Sequence, residues 1–217
     1  MEPKRLNIGC GAAPTRGWVN YDNSISTRLA GFPFLTSLLD RMGLLSAQQK
    51  RFISIVNQHC IRYANGVKSI PEPDHSVAVL YTSHMLEHLD RREAALFLAE
   101  ARRVLVRNGI IRVAVPDLRF HINNYLANRN GDMFMENLRI ARPRPTSMFE
   151  KLQHILIGER HHLWMYDGES LCRLLAQVGF AAARVLNPGE TMILDPGELD
   201  LAEHAPESVF VEAVNPE

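Results

Sequence analysis

The sequence has few cysteines, no excess of charge of either sign and no long apolar run. The three cysteines, Cys10, Cys60 and Cys172, are too few and too far apart for a disulfide scaffold or a paired zinc site. Lysine plus arginine number 24, as do aspartate plus glutamate, so no overall field attracts a nucleic acid. No segment approaches the roughly 20 apolar residues of a membrane helix, and the first residues show no secretory signal. We therefore expect a cytoplasmic protein that binds neither nucleic acid nor membrane.

The sequence does contain enough apolar material for one core, since 46% of its 217 residues are hydrophobic. Strand patterns alternate with helical patterns, which is typical of a parallel sheet with helical crossovers. The strongest helix pattern runs from Asp90 to Val106 before Asn108-Gly109, and another runs from Gly168 to Val178. These patterns predict a single α/β domain over residues 1–217, with a mostly parallel, seven-stranded, Rossmann-like sheet and helices on both faces. The predicted strands span residues 5–9, 18–21, 60–64, 77–82, 110–115, 181–186 and 209–214.

Two longer helical segments interrupt this alternation, at about 24–58 and 118–164. In the first, apolar residues at helical spacing predict two helices separated near 43–46. The second includes an amphipathic piece at 148–157 and is too long for an ordinary connection; such insertions are often functional lids. We expect the two segments to form a helical cap over the active site. The polar side chains of the second segment either orient an acidic acceptor or form a solvated face: Arg119, His121, Tyr125, Arg139, Arg142 and Arg144.

A glycine turn, Gly9-Cys10-Gly11, follows the first predicted strand, and Asp22 ends the second. In open α/β sheets, ligands bind beyond the carboxyl ends of the strands. Glycine allows a ligand to approach the backbone closely because it has no side chain to occupy that space. Asp22 is placed to accept hydrogen bonds from both hydroxyls of a ribose. The two glycines and the carboxylate indicate an adenosine site, although a glycine pair after a strand also occurs in a plain tight turn.

Pro14 distinguishes between adenosine-containing ligands. A dinucleotide-binding loop has a third glycine at this position, which brings a helix N-terminus onto the pyrophosphate. S-adenosylmethionine has no pyrophosphate and tolerates the looser loop. The sequence therefore favours S-adenosylmethionine over a nicotinamide cofactor.

Several longer segments occur in a fixed order: LNIGCGAAP, GWVNYD, IPEPDHSVAVLYTSHMLEHL and EARRVLVRNGIIRVAVPDL. In sequence and in order they resemble the class I S-adenosylmethionine-dependent methyltransferases. The resemblance covers Leu6 to Leu118, and the later HHLWMYDGESLCRLLAQVGF is similar to the distal part of one small-molecule branch. It implies the class I methyltransferase fold, S-adenosyl-L-methionine as cofactor and transfer of a methyl group.

The resemblance also implies roles for single residues. Gly9 and Gly11 lie behind the methionine part of the cofactor, Asp22 holds the ribose, and Asn65 faces the adenine amine. Many members have a carboxylate at the Asn65 position, but an amide oxygen can also accept that hydrogen bond. Asn7 replaces an acid of the first motif, so backbone carbonyls are candidates to hold the ammonium group. The full set expected to contact the cofactor is Gly9, Cys10, Gly11, Asp22, Asn65, Gly66, Val67, Ser83 and His84.

A histidine segment, Ser83-His84-Met85-Leu86-Glu87-His88, follows the fourth predicted strand. In a helical turn His84, Glu87 and His88 are neighbours. His84 is the candidate general base, because the reference pKa of about 6.5 suits proton removal near neutrality; alternatively the histidines cap and pack the next helix. Histidines four residues apart with a carboxylate are also a known metal-ligand geometry. Because the fuller zinc-protease pattern is absent and methyl transfer needs no metal, we predict no metal ligands.

A distal segment, His161 to Asp167, carries aromatic side chains and two histidines in front of a predicted helix. Asp167 has the position of a helix N-cap. His162 and Tyr166 either return to the pocket, where they contact the acceptor or the positive sulfur, or pack in the core. Asp117, after the fifth strand, is a further candidate to orient the acceptor. The candidate catalytic residues are therefore His84, His162, Tyr166 and Asp117.

These expectations combine into one predicted function. We expect the protein to transfer a methyl group from S-adenosylmethionine to an oxygen or nitrogen of a small molecule, a metabolite or a natural-product intermediate. The sequence leaves three alternatives: other S-adenosylmethionine chemistry such as cyclisation, a nicotinamide-dependent oxidoreductase, and a noncatalytic binding module that kept the sheet. A homodimer is compatible with all of them.

Overall fold

A computed structural model describes residues 4–141 and 161–217. They form a seven-stranded sheet in the order β3-β2-β1-β4-β5-β7-β6. Strands β1 to β5 are parallel, and β7 runs antiparallel to both of its neighbours. The predicted fold class, a mostly parallel Rossmann-like sheet, is confirmed. The strands are β1 Lys4–Ile8, β2 Val19–Asp22, β3 Arg62–Tyr63, β4 Val77–Ser83, β5 Leu105–Pro116, β6 Ala181–Leu186 and β7 Ser208–Val214.

Helices cover the sheet, and their bounds follow from local capping and breaking signals. Pro33 at the first position of α2 starts a new helix after Gly31, so segment 24–58 forms three helices rather than the predicted two. The described helices are α1 Ile25–Ala30, α2 Pro33–Arg41, α3 Ala47–His59, α4 Arg91–Val104, α5 Leu118–Asn128, α6 Gly131–Leu138 and α7 Gly168–Val178. A short 3₁₀ helix spans Leu86–His88.

The core lies between the central strands and α4. Asp90 caps α4 through a capping box with Glu93, and the apolar face of the helix is fully buried against the sheet. The predicted end of this helix is wrong by two residues, because Leu105 already pairs with Val77 as the first residue of β5. Asn108 therefore lies inside the strand, in a left-handed conformation with φ +62°. The buried face of α4 consists of Ala94, Phe97, Leu98, Ala101 and Val104.

The helices of segment 24–58 pack unequally. In α3, Ile53 and Val56 are buried, but α2 buries no side chain, and Phe34 is 85% exposed. A cleft of about 820 Å³ lies between α1, α3 and β3, and it is lined by none of the predicted site residues. The expectation that this segment belongs to a cap over the active site stays a prediction. Part of the second predicted cap segment, with Arg142, Arg144 and the piece at 148–157, lies outside the described residues.

In the part of the chain that the structure describes, none of the helices combines the length and apolar character that crossing a lipid bilayer requires.

Candidate active site

The five parallel strands end at one edge of the sheet, and most predicted site residues follow their carboxyl ends. This is the edge where open α/β sheets bind ligands. The turn Gly9-Cys10-Gly11 follows β1, Asp22 ends β2, Asn65 follows β3, His84 follows β4 and Asp117 follows β5.

The glycine loop after β1 is held close to β2. The backbone N–H groups of Gly9 and Cys10 donate to the carbonyl of Tyr21, at 2.8 and 3.1 Å. Gly9 and Gly11 have φ values of +74° and +50°, a region that favours glycine. A Cβ on Gly9 would lie 2.6 Å from Cγ of Met85, whereas a Cβ on Gly11 would have no atom within 4 Å. Packing therefore requires the first glycine, and the second faces open space into which a ligand can come.

A buried amide network shapes the rest of this loop. Asn20 accepts from the N–H of Thr15 at 2.8 Å and donates to the carbonyls of Thr15 and Trp18. Asn7 donates through Nδ2 to Oγ1 of Thr15 at 3.1 Å and to the carbonyl of Ala13 at 3.3 Å. Among the described residues, the buried Oδ1 of Asn7 has no hydrogen-bond partner. Because a buried acceptor without a donor is costly, this oxygen suits a cationic donor such as an ammonium group.

The carboxylate of Asp22 connects the glycine loop to the start of α1. Its Oδ2 accepts from the N–H of Gly11 at 3.2 Å, and its Oδ1 accepts from the N–H of Ser24 at 2.8 Å and from Oγ1 of Thr27 at 3.3 Å. The side chain is 1% exposed. The hydroxyls of a bound ribose would therefore donate to a carboxylate that already accepts hydrogen bonds from the protein itself.

Asn65 shapes the turn after β3. Its Oδ1 accepts from the N–H groups of Val67 and Lys68, at 3.1 and 3.3 Å. The oxygen that we expect to accept from adenine is thus already the acceptor of an Asx turn. A Cβ on Gly66 would lie 3.0 Å from the ring of Phe97, so this glycine lets α4 approach closely. The adenine contact stays a prediction.

His84 lies directly after β4 in an unusual conformation. Its φ is +47°, which is uncommon for a residue with a side chain, and its N–H donates to the carbonyl of Ala114. The ring places Nε2 at 2.9 Å from Oγ of Ser208 and Nδ1 at 3.4 Å from Oε1 of Glu87. The side chain is 29% exposed. His84 is therefore oriented between two polar partners and is reachable from the sheet edge.

Glu87 and His88 lie on the 3₁₀ helix, one turn after His84. The predicted proximity of the three side chains is confirmed, since Oε1 of Glu87 lies 3.4 Å from Nδ1 of His84 and 4.0 Å from Nε2 of His88. Nδ1 of His88 is 3.0 Å from the carbonyl of His161. This last contact joins the histidine segment to the distal segment.

The distal segment brings His162 and Tyr166 to the same cluster. The ring of His162 meets that of His88 edge to face, with centroids 5.2 Å apart. His162 is 7% exposed and Tyr166 is fully buried. Burial lowers the pKa of His162, so the ring is neutral near pH 7, and burial raises the pKa of Tyr166. Both side chains are thus uncharged groups in the interior.

Asp117 and Asp167 both cap helices. Asp167 caps α7 through a capping box with Ser170, as predicted, and the backbone hydrogen bond from Ser170 lowers the pKa of its carboxyl group. Asp117 accepts from the N–H of Arg119 at 3.0 Å and caps α5. The backbones of Asp117 and Tyr166 also form a β-bridge. Asp117 is therefore next to the cluster, but its carboxylate serves the start of a helix.

Sequence reasoning missed two partners of His84. Ser208 begins β7, and the ring of His204 lies 4.5 Å from that of His84, centroid to centroid. His204 comes from the connection between β6 and β7 and Ser208 from the start of β7, more than a hundred residues further along the chain. No local pattern could have indicated them, because only the antiparallel return of β7 places them there.

The parallel strand edge and the open glycine loop define an α/β protein with room for a ligand beyond the carboxyl ends of its strands. A family model described as a methyltransferase domain matches residues 6–113, the part that holds this loop and the histidine segment. The chain belongs to the class I S-adenosylmethionine-dependent methyltransferases, and its cofactor is S-adenosyl-L-methionine. The nicotinamide alternative is thereby set aside.

Solved structures show the same fold at low sequence identity. A methyltransferase from Thermotoga maritima, titled a possible histamine N-methyltransferase, is 15% identical, with a TM-score of 0.52 over 99% of this chain and 83% of that one. A Methanosarcina mazei methyltransferase is also 15% identical, with a TM-score of 0.52 over 98% and 92% of the two chains. A Haloferax volcanii methyltransferase in complex with its activator is 10% identical, with a TM-score of 0.50 over 99% and 83%. No curated protein sequence matches the chain.

Proposed function

We propose that the enzyme transfers the methyl group to an oxygen or nitrogen atom of a small-molecule acceptor, with His84 as the general base. This proposal depends mainly on the position of His84. It follows β4 at the cofactor edge, is partly exposed, and has one ring nitrogen turned to a buried carboxylate. A base in this position can take the proton that an attacking hydroxyl or amine must lose.

The chain offers a cofactor cradle at the same edge. The cofactor supplies an electrophilic methyl group on a positive sulfur. Gly11 leaves room beside the loop, Oδ1 of Asn7 can accept from the ammonium group, and Asp22 can accept from the ribose. Cys10 belongs to the same turn, and we propose that Asn65, Gly66 and Val67 line the adenine. Met85 packs against Gly9, which fixes the histidine segment next to this loop.

The surroundings of His84 support a role in proton transfer. Oε1 of Glu87 lies 3.4 Å from Nδ1 and can hold the ring in one orientation, as a carboxylate does beside other catalytic imidazoles. Nε2 now lies against the hydroxyl of Ser208, and an acceptor hydroxyl or amine would take the place of that group. The proton then moves from the acceptor atom to Nε2 of His84. Ser83, His162, Tyr166 and Asp117 are proposed to border the acceptor.

The small size of the acceptor is inferred from the net charge of the protein and from the length of the two helical segments. The sequence carries 24 acidic and 24 basic residues, so no net field attracts a polyanionic substrate. The helical segments at 24–58 and 118–164 are proposed to enclose the site, as lids do in enzymes that act on small molecules. The three cysteines form no disulfide in the structure, which suits a reducing compartment such as the cytoplasm.

Two measurements test this proposal. Calorimetry with S-adenosylhomocysteine should show one site per chain, and absence of binding would overturn the whole assignment. The full-length enzyme is then incubated with cofactor labelled in the methyl group and with a cell extract separated by filtration into small and macromolecular fractions. We expect label in the small-molecule fraction only, and mass spectrometry identifies the product. Label confined to the macromolecular fraction would overturn the small-molecule acceptor.

A further inference from the structure

We propose that Glu87, His88 and His162 form a binding site for a divalent transition-metal ion of the zinc class. One ligand atom from each of the three residues lies within 4.8 Å of the other two. No ion is needed for methyl transfer itself, so the site is an addition to the methyltransferase chemistry. Metal binding by these three side chains does not require the proposed acceptor class.

The main support for this site is the buried carboxylate of Glu87. Its side chain is fully buried, and both carboxylate oxygens lack a hydrogen-bond partner among the described residues. A buried carboxylate is costly unless it is paired with a cation or satisfied by hydrogen bonds. Within residues 4–141 and 161–217, the basic groups beside this carboxylate are imidazoles: Nδ1 of His84 at 3.4 Å and Nε2 of His88 at 4.0 Å. A bound metal ion would supply the positive charge that the carboxylate of Glu87 lacks.

His88 has the hydrogen bond that is typical of a metal-binding histidine. Its Nδ1 lies 3.0 Å from the backbone carbonyl of His161, so Nδ1–H can donate there. The lone pair is then on Nε2, the nitrogen that is turned towards Glu87. Metal-bound imidazoles usually donate their other N–H to a carbonyl or carboxylate, which fixes both tautomer and ring orientation.

His162 completes the set from a distant part of the chain. Its Nδ1 is buried and has no hydrogen-bond partner within residues 4–141 and 161–217. The backbone holds it firmly, since the N–H of His162 donates to the carbonyl of Arg139 at 3.2 Å and that of Leu163 donates to the carbonyl of Glu87 at 2.7 Å. Glu87 therefore binds the distal segment through its backbone while its side chain faces the ring of His162.

The donor set indicates the class of ion. Two imidazole nitrogens and one carboxylate are a known zinc set, and imidazole ligands suit zinc, iron, copper and nickel rather than magnesium. Three protein ligands leave a coordination position for water or for an oxygen of a substrate. The side chain of His88 is 22% exposed, so the cluster has contact with solvent through which an ion can enter.

The test is metal binding by the full-length chain without an affinity tag. After treatment with a chelator, Zn²⁺ and Co²⁺ are titrated, bound metal is measured by elemental analysis, and Co²⁺ also reports its coordination by visible absorption. We expect one equivalent of either ion per chain and none of Mg²⁺ at the same concentrations. Glu87→Gln and His162→Asn should each weaken metal binding by at least about 100-fold. Loss of a residue that only hydrogen-bonds to a metal ligand already weakens binding by up to about 100-fold, and loss of the ligand itself should cost at least as much.

His59→Asn is the matched control, since it removes an exposed histidine at the end of α3 and should leave metal binding unchanged. Circular dichroism of each variant shows whether it is folded, and His88→Asn provides a third ligand variant. The proposal is overturned if the wild-type chain binds less than a stoichiometric amount, or if folded ligand variants bind as the wild type does. S-adenosylhomocysteine calorimetry on the same samples separates the two proposals. If the protein binds S-adenosylhomocysteine but no metal ion, only the metal site is rejected. If it binds the metal ion but no S-adenosylhomocysteine, only the proposed methyltransferase site is rejected.

Discussion

Nη1 of Arg112 lies 2.6 Å from Oε1 of Glu212, and both side chains are completely buried between β5 and β7. The carboxylate of Glu212 also accepts from Oγ1 of Thr191 and from the N–H of Met192, each at 2.6 Å. The guanidinium donates to the carbonyls of Glu190 and Leu201. The pair thus holds the long connection between β6 and β7, which supplies His204 to the candidate site and ends at Ser208, the first residue of β7.

Replacing Glu212 with Gln should destabilise the fold strongly. The change leaves the buried charge of Arg112 without its partner, a loss of about 3–5 kcal/mol in the free energy of unfolding. Urea denaturation monitored by circular dichroism measures it. Glu198→Gln is the control, since Glu198 forms only an exposed pair with Arg16 at 3.5 Å and should cost at most about 1 kcal/mol. Equal stability of the two variants would mean that the buried pair does not hold the connection.

The two loop glycines should respond differently to alanine. At Gly9 the new Cβ would meet Met85 at 2.6 Å, so Gly9→Ala should lower both stability and cofactor affinity. At Gly11 the Cβ enters open space, so the fold should lose only the cost of a left-handed alanine, about 1–2 kcal/mol. Affinity for S-adenosylhomocysteine should nevertheless fall at least about tenfold, or 1.4 kcal/mol.

Gly17→Ala is the control for this comparison. Gly17 has φ +79°, and a Cβ on this residue would have no atom within 4 Å, so the backbone strain is similar, but it lies outside the predicted cofactor set. Its affinity for S-adenosylhomocysteine should match the wild type in calorimetry. If Gly11→Ala also binds normally, the cofactor does not lie against Gly11.

Replacing His84 with Ala should separate binding from turnover. Affinity for S-adenosylhomocysteine should stay within a fewfold of wild type, while kcat falls by about two to four powers of ten because the proton acceptor is lost. Steady-state kinetics with the acceptor identified by the labelling experiment measures both parameters. Ser208→Ala keeps the imidazole and removes only its partner, so kcat should change much less. A normal kcat for His84→Ala would exclude this residue as the base.

His121 should make the protein less stable in acid. Burial lowers the pKa of His121 in the folded state, so below the unfolded value of about 6.5 the unfolded chain binds more protons. The free energy of unfolding is therefore retained above that pH and decreases as the pH falls from about 6.5 towards the lowered folded value. His121→Gln should flatten this decrease in chemical denaturation between pH 7.5 and 5, chosen as about one unit or more on each side of 6.5. An unchanged slope would show that His121 is protonated without cost.

Much of the fold could be predicted because its signals are local. The apolar pattern of β4, the capping residue Asp90 and the pair Asp167 and Gly179 are each decided within a few residues of chain. The apolar spacing of α2 predicted a helix but could not predict how that helix packs. Leu35 and Leu38 have the periodicity of a buried face, yet they are 41% and 45% exposed, because burial depends on which elements pack on the helix.

In the candidate site, too, the contacts that are local in sequence could be predicted and the distant ones could not. His84, Glu87 and His88 are close in sequence, so the local pattern was sufficient to predict their proximity, although the left-handed backbone of His84 and a short 3₁₀ helix bring them together instead of an α-helical turn. The contacts of His162 with His88 and of Ser208 with His84 depend on the order of strands and on the return of β7, which no local pattern encodes. The Asx turn of Asn65 was also hidden, since the same amide oxygen can serve the backbone or a ligand.

The amide network around Thr15 has a consequence for the kinetics of cofactor capture. Asn7 and Asn20 hold the glycine loop in one shape through bonds within the protein itself, so little chain entropy remains to be lost when the cofactor arrives. An encounter then needs only the correct orientation, without a slow rearrangement of the loop. Rapid-mixing traces should accordingly contain a single phase whose rate rises linearly with ligand concentration.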